Sequence, residues 1–255
     1  MDDQTCDAGV KSRLSVALAM AAAAILAALL GMMILFHIRQ GESFNFTRED
    51  GLVEWGTVAS FMLCALLAIP AAMWMGQLAR RQRVFLIVFA ILCIVAAGEE
   101  LSWGQRFFGF APPKSMESRS GSNVRFGHND VTVHNLTFEI GPMQFSIGSV
   151  LFKLPLVLGS AFHGILLPLA LRKGKPWARR FVDKLGLFVP SLPLGSVLFI
   201  GVAVLYFVRR LFPHSEVGEC REFYAPTLYL LILIEWLCSR PRAQALAPQG
   251  QPALS

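Results

Sequence analysis

Apolar residues come in six long runs, at residues 14–36, 52–75, 84–104, 147–171, 187–208 and 217–238, and the connections between them hold most of the charge. Bilayer hydrocarbon is about 30 Å thick, so a helix needs about 20 mostly apolar residues to cross it. The pattern predicts an all-α fold, a polytopic transmembrane helical bundle of about six spanning helices, forming one domain over residues 1–242. The Ala-, Gln- and Pro-rich tail at 243–255 is expected to be disordered.

Two runs are too short in apolar residues to cross alone. Residues 84–97 reach a bilayer's width only if the helix continues through Gly98, Glu99, Glu100, Leu101, Ser102, Trp103 and Gly104. Residues 224–238 need the polar turns that hold Glu219, Arg221 and Glu222. Two carboxylate pairs are thereby drawn to the membrane boundary. The first run follows Lys11 and Arg13 as a signal peptide's apolar core would, but it runs well past the roughly 15 residues of such a core, so an uncleaved span is expected.

Composition agrees with a lipid solvent: of 255 residues 55% are hydrophobic and 16% charged, with a mean hydropathy of +0.54. The net charge of +6 does not point to nucleic acid, because the basic residues sit in connections between apolar runs, where they act as topology signals. Arg80, Arg81, Arg83, Arg172, Lys173, Lys175, Arg179, Arg180, Lys184, Arg240 and Arg242 fall on the same side as Lys11 and Arg13. Fewer cations, in longer loops, fall opposite, so both termini are expected in the cytoplasm. Cys64, Cys93 and Cys238 lie inside apolar runs, Cys6 is in the tail and Cys220 is alone near the outer face, which implies no disulfide framework.

Acidic residues then collect outside: Glu42, Glu49, Asp50, Glu54, Glu99, Glu100, Glu117, Asp130, Glu139, Glu216, Glu219 and Glu222. On a continuous helix Glu99, Ser102, Trp103 and Arg106 would form one stripe, since positions i, i+3, i+4 and i+7 share a face. Intramembrane charge is costly and is resolved by pairing or by a polar cavity. In the simpler reading Glu99 or Glu100 neutralises Arg106 or Arg221. Glu49 and Asp50 fit capping of the second helix, where carboxylates favour the first turn, while Glu54 lies deeper.

His128 and His134 in the loop, with Glu54, Glu99, Glu219 and Glu222, supply the donor types of a divalent-metal site built between helices. The sequence nonetheless contains no His-x-x-x-His, His-Glu-x-x-His or Glu-x-x-His spacing. His163 is expected to hydrogen-bond a neighbouring helix, and Lys153 to snorkel or pair with a glutamate. The sequons at Asn45 and Asn135 are short enough to arise by chance.

The block Gly98-Glu99-Glu100-Leu101-Ser102-Trp103-Gly104-Gln105-Arg106, with Glu49, Asp50, Glu54 and His134-Asn135-Leu136, resembles a family of bacterial multi-pass inner-membrane proteins without an assigned activity. That resemblance, over about residues 45–235, implies architecture rather than a reaction. Glu99-Glu100 also resembles the Glu-Glu-x-x-x-Arg motif of CAAX-type intramembrane proteases, but Gly104 stands where that motif has Arg, and Arg106 comes two positions later. Alkaline-ceramidase-like hydrolases combine Ser, Asp and His near a membrane face, yet their His-x-x-x-His pair has no counterpart here.

Three readings follow. In the first, the chain is a metal-dependent hydrolase of a lipid or lipid-linked substrate, with Glu99, Glu100, Ser102 and Arg106 as candidate catalytic residues and Glu54, Glu99, His134, Glu219 and Glu222 as candidate metal ligands. In the second it is a transporter, channel or sensor whose carboxylates bind protons or a cation. In the third its ion pairs only specify helix packing. The charge bias predicts that a green-fluorescent-protein fusion at the C-terminus fluoresces in bacterial cells while an alkaline-phosphatase fusion there is inactive.

Overall fold

The computed structural model describes residues 3–38, 51–76, 78–101, 108, 137–140, 143–146, 154–211 and 215–240. Helix α1 (Asp3–Ile38) precedes α2 (Leu52–Trp74) and α3 (Arg80–Glu100). Two short strands, β1 (Thr137–Ile140) and β2 (Met143–Ser146), pair antiparallel with Thr137 opposite Ser146 and Ile140 opposite Met143. One rod then runs through α4 (Leu154–Ala161), a π-helical turn (Phe162–Leu166) and α5 (Leu167–Arg172). The chain ends in α6 (Pro176–Leu185), α7 (Leu192–Leu211) and α8 (Ser215–Cys238).

Among the described residues, four segments are long and apolar enough to cross a membrane: Lys11–Leu35, Leu52–Trp74, Arg80–Glu100 and Leu192–Leu211. The remaining two expected spans differ. The apolar stretch Leu156–Arg172 is shorter, and residues 147–153, which would have lengthened it, lie outside the described residues. Helix α8 has 24 residues but carries Glu219, Arg221, Glu222 and Glu235 along its length, together with Pro226.

Boundaries moved for local reasons. Helix α3 begins at Arg80, a turn earlier than expected, and takes in its arginines, while the expected stretch at 102–104 lies outside the described residues. Arginine stems can lie along apolar surface while their heads stay polar, and Arg83 Nη2 donates to the Gly76 carbonyl at 3.0 Å, closing the α2–α3 turn. Helix α7 starts at Leu192, not 187, because Pro190 and Pro193 disfavour helix in the residues before them. The basic stretch expected as a loop forms α6, with Pro176 at its start and Gly186 behind it in the left-handed region at φ +70°. A Cβ on Gly186 would stand 2.5 Å from the Arg81 backbone, so both conformation and space require glycine there.

Polarity runs opposite to that of a water-soluble bundle. Leu66, Met73, Ile91, Leu92 and Phe207 point outward, at 60%, 65%, 54%, 61% and 64% exposure. The buried face of α2 is instead mostly small or polar: beside Val53 and Val58 it holds Glu54, Thr57, Ser60, Cys64, Ala65, Ala68, Ala71 and Ala72. Between helices in hydrocarbon, where apolar burial gives no driving force, small residues allow close backbone approach and hydroxyls bond across the gap. Helix α2 lies against α3 and α8, α8 against α7, and α1 against both α7 and α8. Ser60 and Thr227 join α2 to α8 at 2.9 Å, and the Tyr224 hydroxyl donates to the Val197 carbonyl of α7 at 2.9 Å.

The π-helical turn meets α7 where Gly164 faces Gly195, and a Cβ on either would collide with the other's carbonyl oxygen. His163 Nε2 lies 2.7 Å from the Phe188 carbonyl, in the segment that leads into α7, so that nitrogen donates. Its ring stacks on Tyr229 of α8, 5.8 Å between centroids. The hydrogen bond expected of this histidine exists, but to a connecting segment. Gly195→Leu is expected to cost about 1–3 kcal/mol by overpacking and lower the melting temperature in detergent, whereas Gly31→Ala, with nothing within 4 Å of the added methyl, should leave it unchanged.

Candidate functional site

The start of α2, the end of α3 and the start of α8 share one end of the bundle, the acidic end. The basic end holds the α2–α3 turn, α6, the start of α7 and the end of α8. The acidic end is assembled by close packing. Gly56 lets the Phe223 ring come in so near that an added Cβ would sit 2.6 Å from it. That contact draws the first turn of α2 alongside the first turns of α8. Glu54, on that first turn, is 8% exposed. It follows Gly51, whose carbonyl accepts from Trp55 N at 3.1 Å.

Antiparallel packing of α3 on α2 adds Glu99, 7% exposed, and Glu100. Glu100 is within electrostatic range of Glu222, Glu219, Glu54 and Glu99. Five carboxylates from three helices therefore converge, and Glu54, Glu99 and Glu219 each have further interactions. Arg221 enters the same region at 3% exposure and donates from Nη2 to Glu222 Oε1 at 3.1 Å. Its guanidinium lies 5.9 Å from the centre of the Tyr206 ring of α7, and its Nε has no hydrogen-bond partner among the described residues.

Of the candidate catalytic set, the structure brings together Glu99 and Glu100, while Ser102 and Arg106 lie outside the described residues. Of the candidate ligands, Glu54, Glu99, Glu219 and Glu222 are neighbours, and His134, like His128, lies outside them. Among the described residues no three of His, Cys, Asp and Glu are placed to hold one metal ion. Of the stripe expected from Glu99 to Arg106, only Glu99 is among the described residues.

Arg221 was weighed in the sequence only as a partner for Glu99 or Glu100, and its pairing with Glu222 on its own helix follows from packing. Its signal was present, as a cation between two acids at the head of an apolar run. Beneath the acidic cluster the interior is apolar: Leu198, Val202, Leu228, Ile232 and Leu233 are all 0% exposed. Glu235, buried at the opposite end, is accounted for structurally. Its Oε2 accepts from Ser191 N at 2.8 Å where α7 begins, and helix N-termini favour carboxylates. Cys64, Cys93 and Cys220 are buried and Cys238 is exposed, and none of the four is in a disulfide.

Comparison with protein-family models, with curated proteins and with solved structures returns no match to this chain. The acidic site depends on the Gly56–Phe223 contact, so Gly56→Ala should cost about 1–3 kcal/mol by overpacking, and Phe223→Leu in the same chain should recover part of it. Thermal melting of the two single variants and the double variant measures that coupling.

Proposed function

We propose that the protein is a multi-pass membrane enzyme that hydrolyses a lipid or lipid-linked substrate at the acidic end of its bundle. The observation that carries this reading is the convergence of Glu54, Glu99, Glu100, Glu219 and Glu222 above an apolar floor, with Arg221 among them. The interior beneath it is apolar, which suits a bound substrate better than a conduit. The cation bias among the loops supports a bacterial inner membrane with both termini cytoplasmic and the acidic end facing out.

The carboxyls occupy unlike surroundings: Glu54 and Glu99 are buried, whereas the Glu222 side chain is 37% exposed and carries an arginine partner. Unlike surroundings divide acid from base roles between neighbouring carboxyls. In the proposed step one carboxylate takes a proton from water as the water oxygen attacks the ester or phosphoester. A second carboxyl, protonated, gives its proton to the departing oxygen. Arg221, with Arg106 as the second candidate cation, would hold the anionic part of the substrate. A divalent ion would need His134 in addition to the glutamates.

The alternative reading is a sensor or transporter that uses the carboxylates to bind a cation or protons, favoured by the gathering of like charges around Glu100. The two separate experimentally. Full-length protein in phospholipid vesicles should release a water-soluble headgroup or a free fatty acid, detected by mass spectrometry. Glu99→Gln and Glu100→Gln should each slow that release by about 100-fold or more while the helical circular dichroism is kept. Intact lipids after incubation of folded wild type with phospholipids and lipid-linked precursors, with or without added divalent metal, would overturn the hydrolase reading in favour of the alternative.

A further inference from the structure

We propose that α6, at the basic end and remote from the acidic cluster, binds the headgroup of an anionic phospholipid. Trp177, Arg180, Phe181 and Lys184 stand at positions i, i+3, i+4 and i+7, which places them on one helical face. With Pro176 they line a cleft of about 550 Å³. The opposite face is fixed to the bundle: Ala178 is 0% exposed and packs with Leu167 and Ala170 of α5, and Val182 joins them. Phe181 packs partly against the same cluster, and on the outward side Trp177 is 48% exposed.

Aromatic and cationic side chains interleave on this face. Phe181 meets Phe162 edge-on, 5.3 Å between centroids, and Trp177 lies 6.5 Å from the same ring. Indole and phenyl rings beside Arg and Lys heads match the boundary of a bilayer, where rings sit at headgroup depth and cations meet phosphate. Position agrees, because α6 follows directly on the apolar rod ending at Arg172 and touches the start of α3. A helix of 10 residues cannot cross the hydrocarbon and, with one polar and one apolar side, lies along its surface.

Charge completes the match. The one acid on α6, Asp183, lines a separate cleft with Arg80 and Arg81, and on the proposed face Arg180 and Lys184 supply the charge. Those two cations and the apolar rings favour a lipid phosphate over a free one, since inorganic phosphate has nothing to place against Trp177 and Phe181. The inference rests on the chain spanning a membrane, but not on its being a hydrolase.

Native mass spectrometry of the full chain in detergent, given equal phosphatidylglycerol and phosphatidylcholine, provides the test. Wild type should retain phosphatidylglycerol over phosphatidylcholine by about 10-fold. R180Q/K184Q should bring the ratio near one, and R209Q/R210Q, at the opposite end, should leave it unchanged. Trp177→Ala, at an exposed position, should also lower the ratio and guards against a folding defect in the double variant. Equal retention by wild type overturns the proposal, as does a preference that survives both R180Q/K184Q and Trp177→Ala. Displacement of the lipid by millimolar inorganic phosphate would also overturn it, in favour of a free-phosphate site.

Discussion

The close approach of α2 to its neighbours governs the rest of the structure. Its inner face is built of Ala65, Ala68, Ala71 and Ala72 below and Gly56 above. Leucine-sized side chains there would hold α3 and α8 farther off. Because lipid tails are as apolar as leucine, large side chains gain nothing by turning inward, and the bundle is held by fit and by a few hydroxyl bonds. Ser60 to Thr227 and Tyr224 to Val197 are bonds of that kind. They set the register at which the acidic ends of three helices come level.

That register has a chemical result. Glutamates that are far apart in the chain, at 54, 99–100 and 219–222, come within electrostatic reach of one another. Bringing like charges together out of water is unfavourable, and the fold accepts it at one end only, with Arg221 inserted beside Glu222. At the other end the buried acid Glu235 is fixed by the Ser191 amide. The basic residues there stay at the surface, with Arg240 lying over the Trp236 ring at 4.3 Å. The molecule is therefore polar along its axis: a carboxylate-lined end, an apolar middle, and a cationic end that carries α6.

The acidic end was largely legible in the sequence. Glu54, Glu99, Glu100, Glu219 and Glu222 stand out because ionisable residues inside apolar runs are expensive. Less legible was the start of α3, which lies at Arg80 and takes in three arginines ahead of the apolar run. A helix does not need the polar block for length when it can start earlier, at Arg80. Basic residues 172–184 misled in a different way. Read as charge alone they mark topology, and only the spacing of Trp177, Phe181 and Leu185 one turn apart shows the helix they share.

Composition and apolar run length by themselves determined that long apolar helices dominate the chain, because the bilayer admits few other solutions for its backbone. They also determined which residue types would be out of place in such helices. Only the tertiary structure decided which of those residues meet. Convergence of the glutamates rests on the Gly56–Phe223 contact, the placement of α6 on the Gly186 turn against Arg81, and the join of the π-helical turn to α7 on Gly164 and Gly195. Each is a matter of tenths of an ångström between residues distant in sequence. Hydrophobic periodicity carries no information at that scale, since it records which face is apolar and not what lies opposite it.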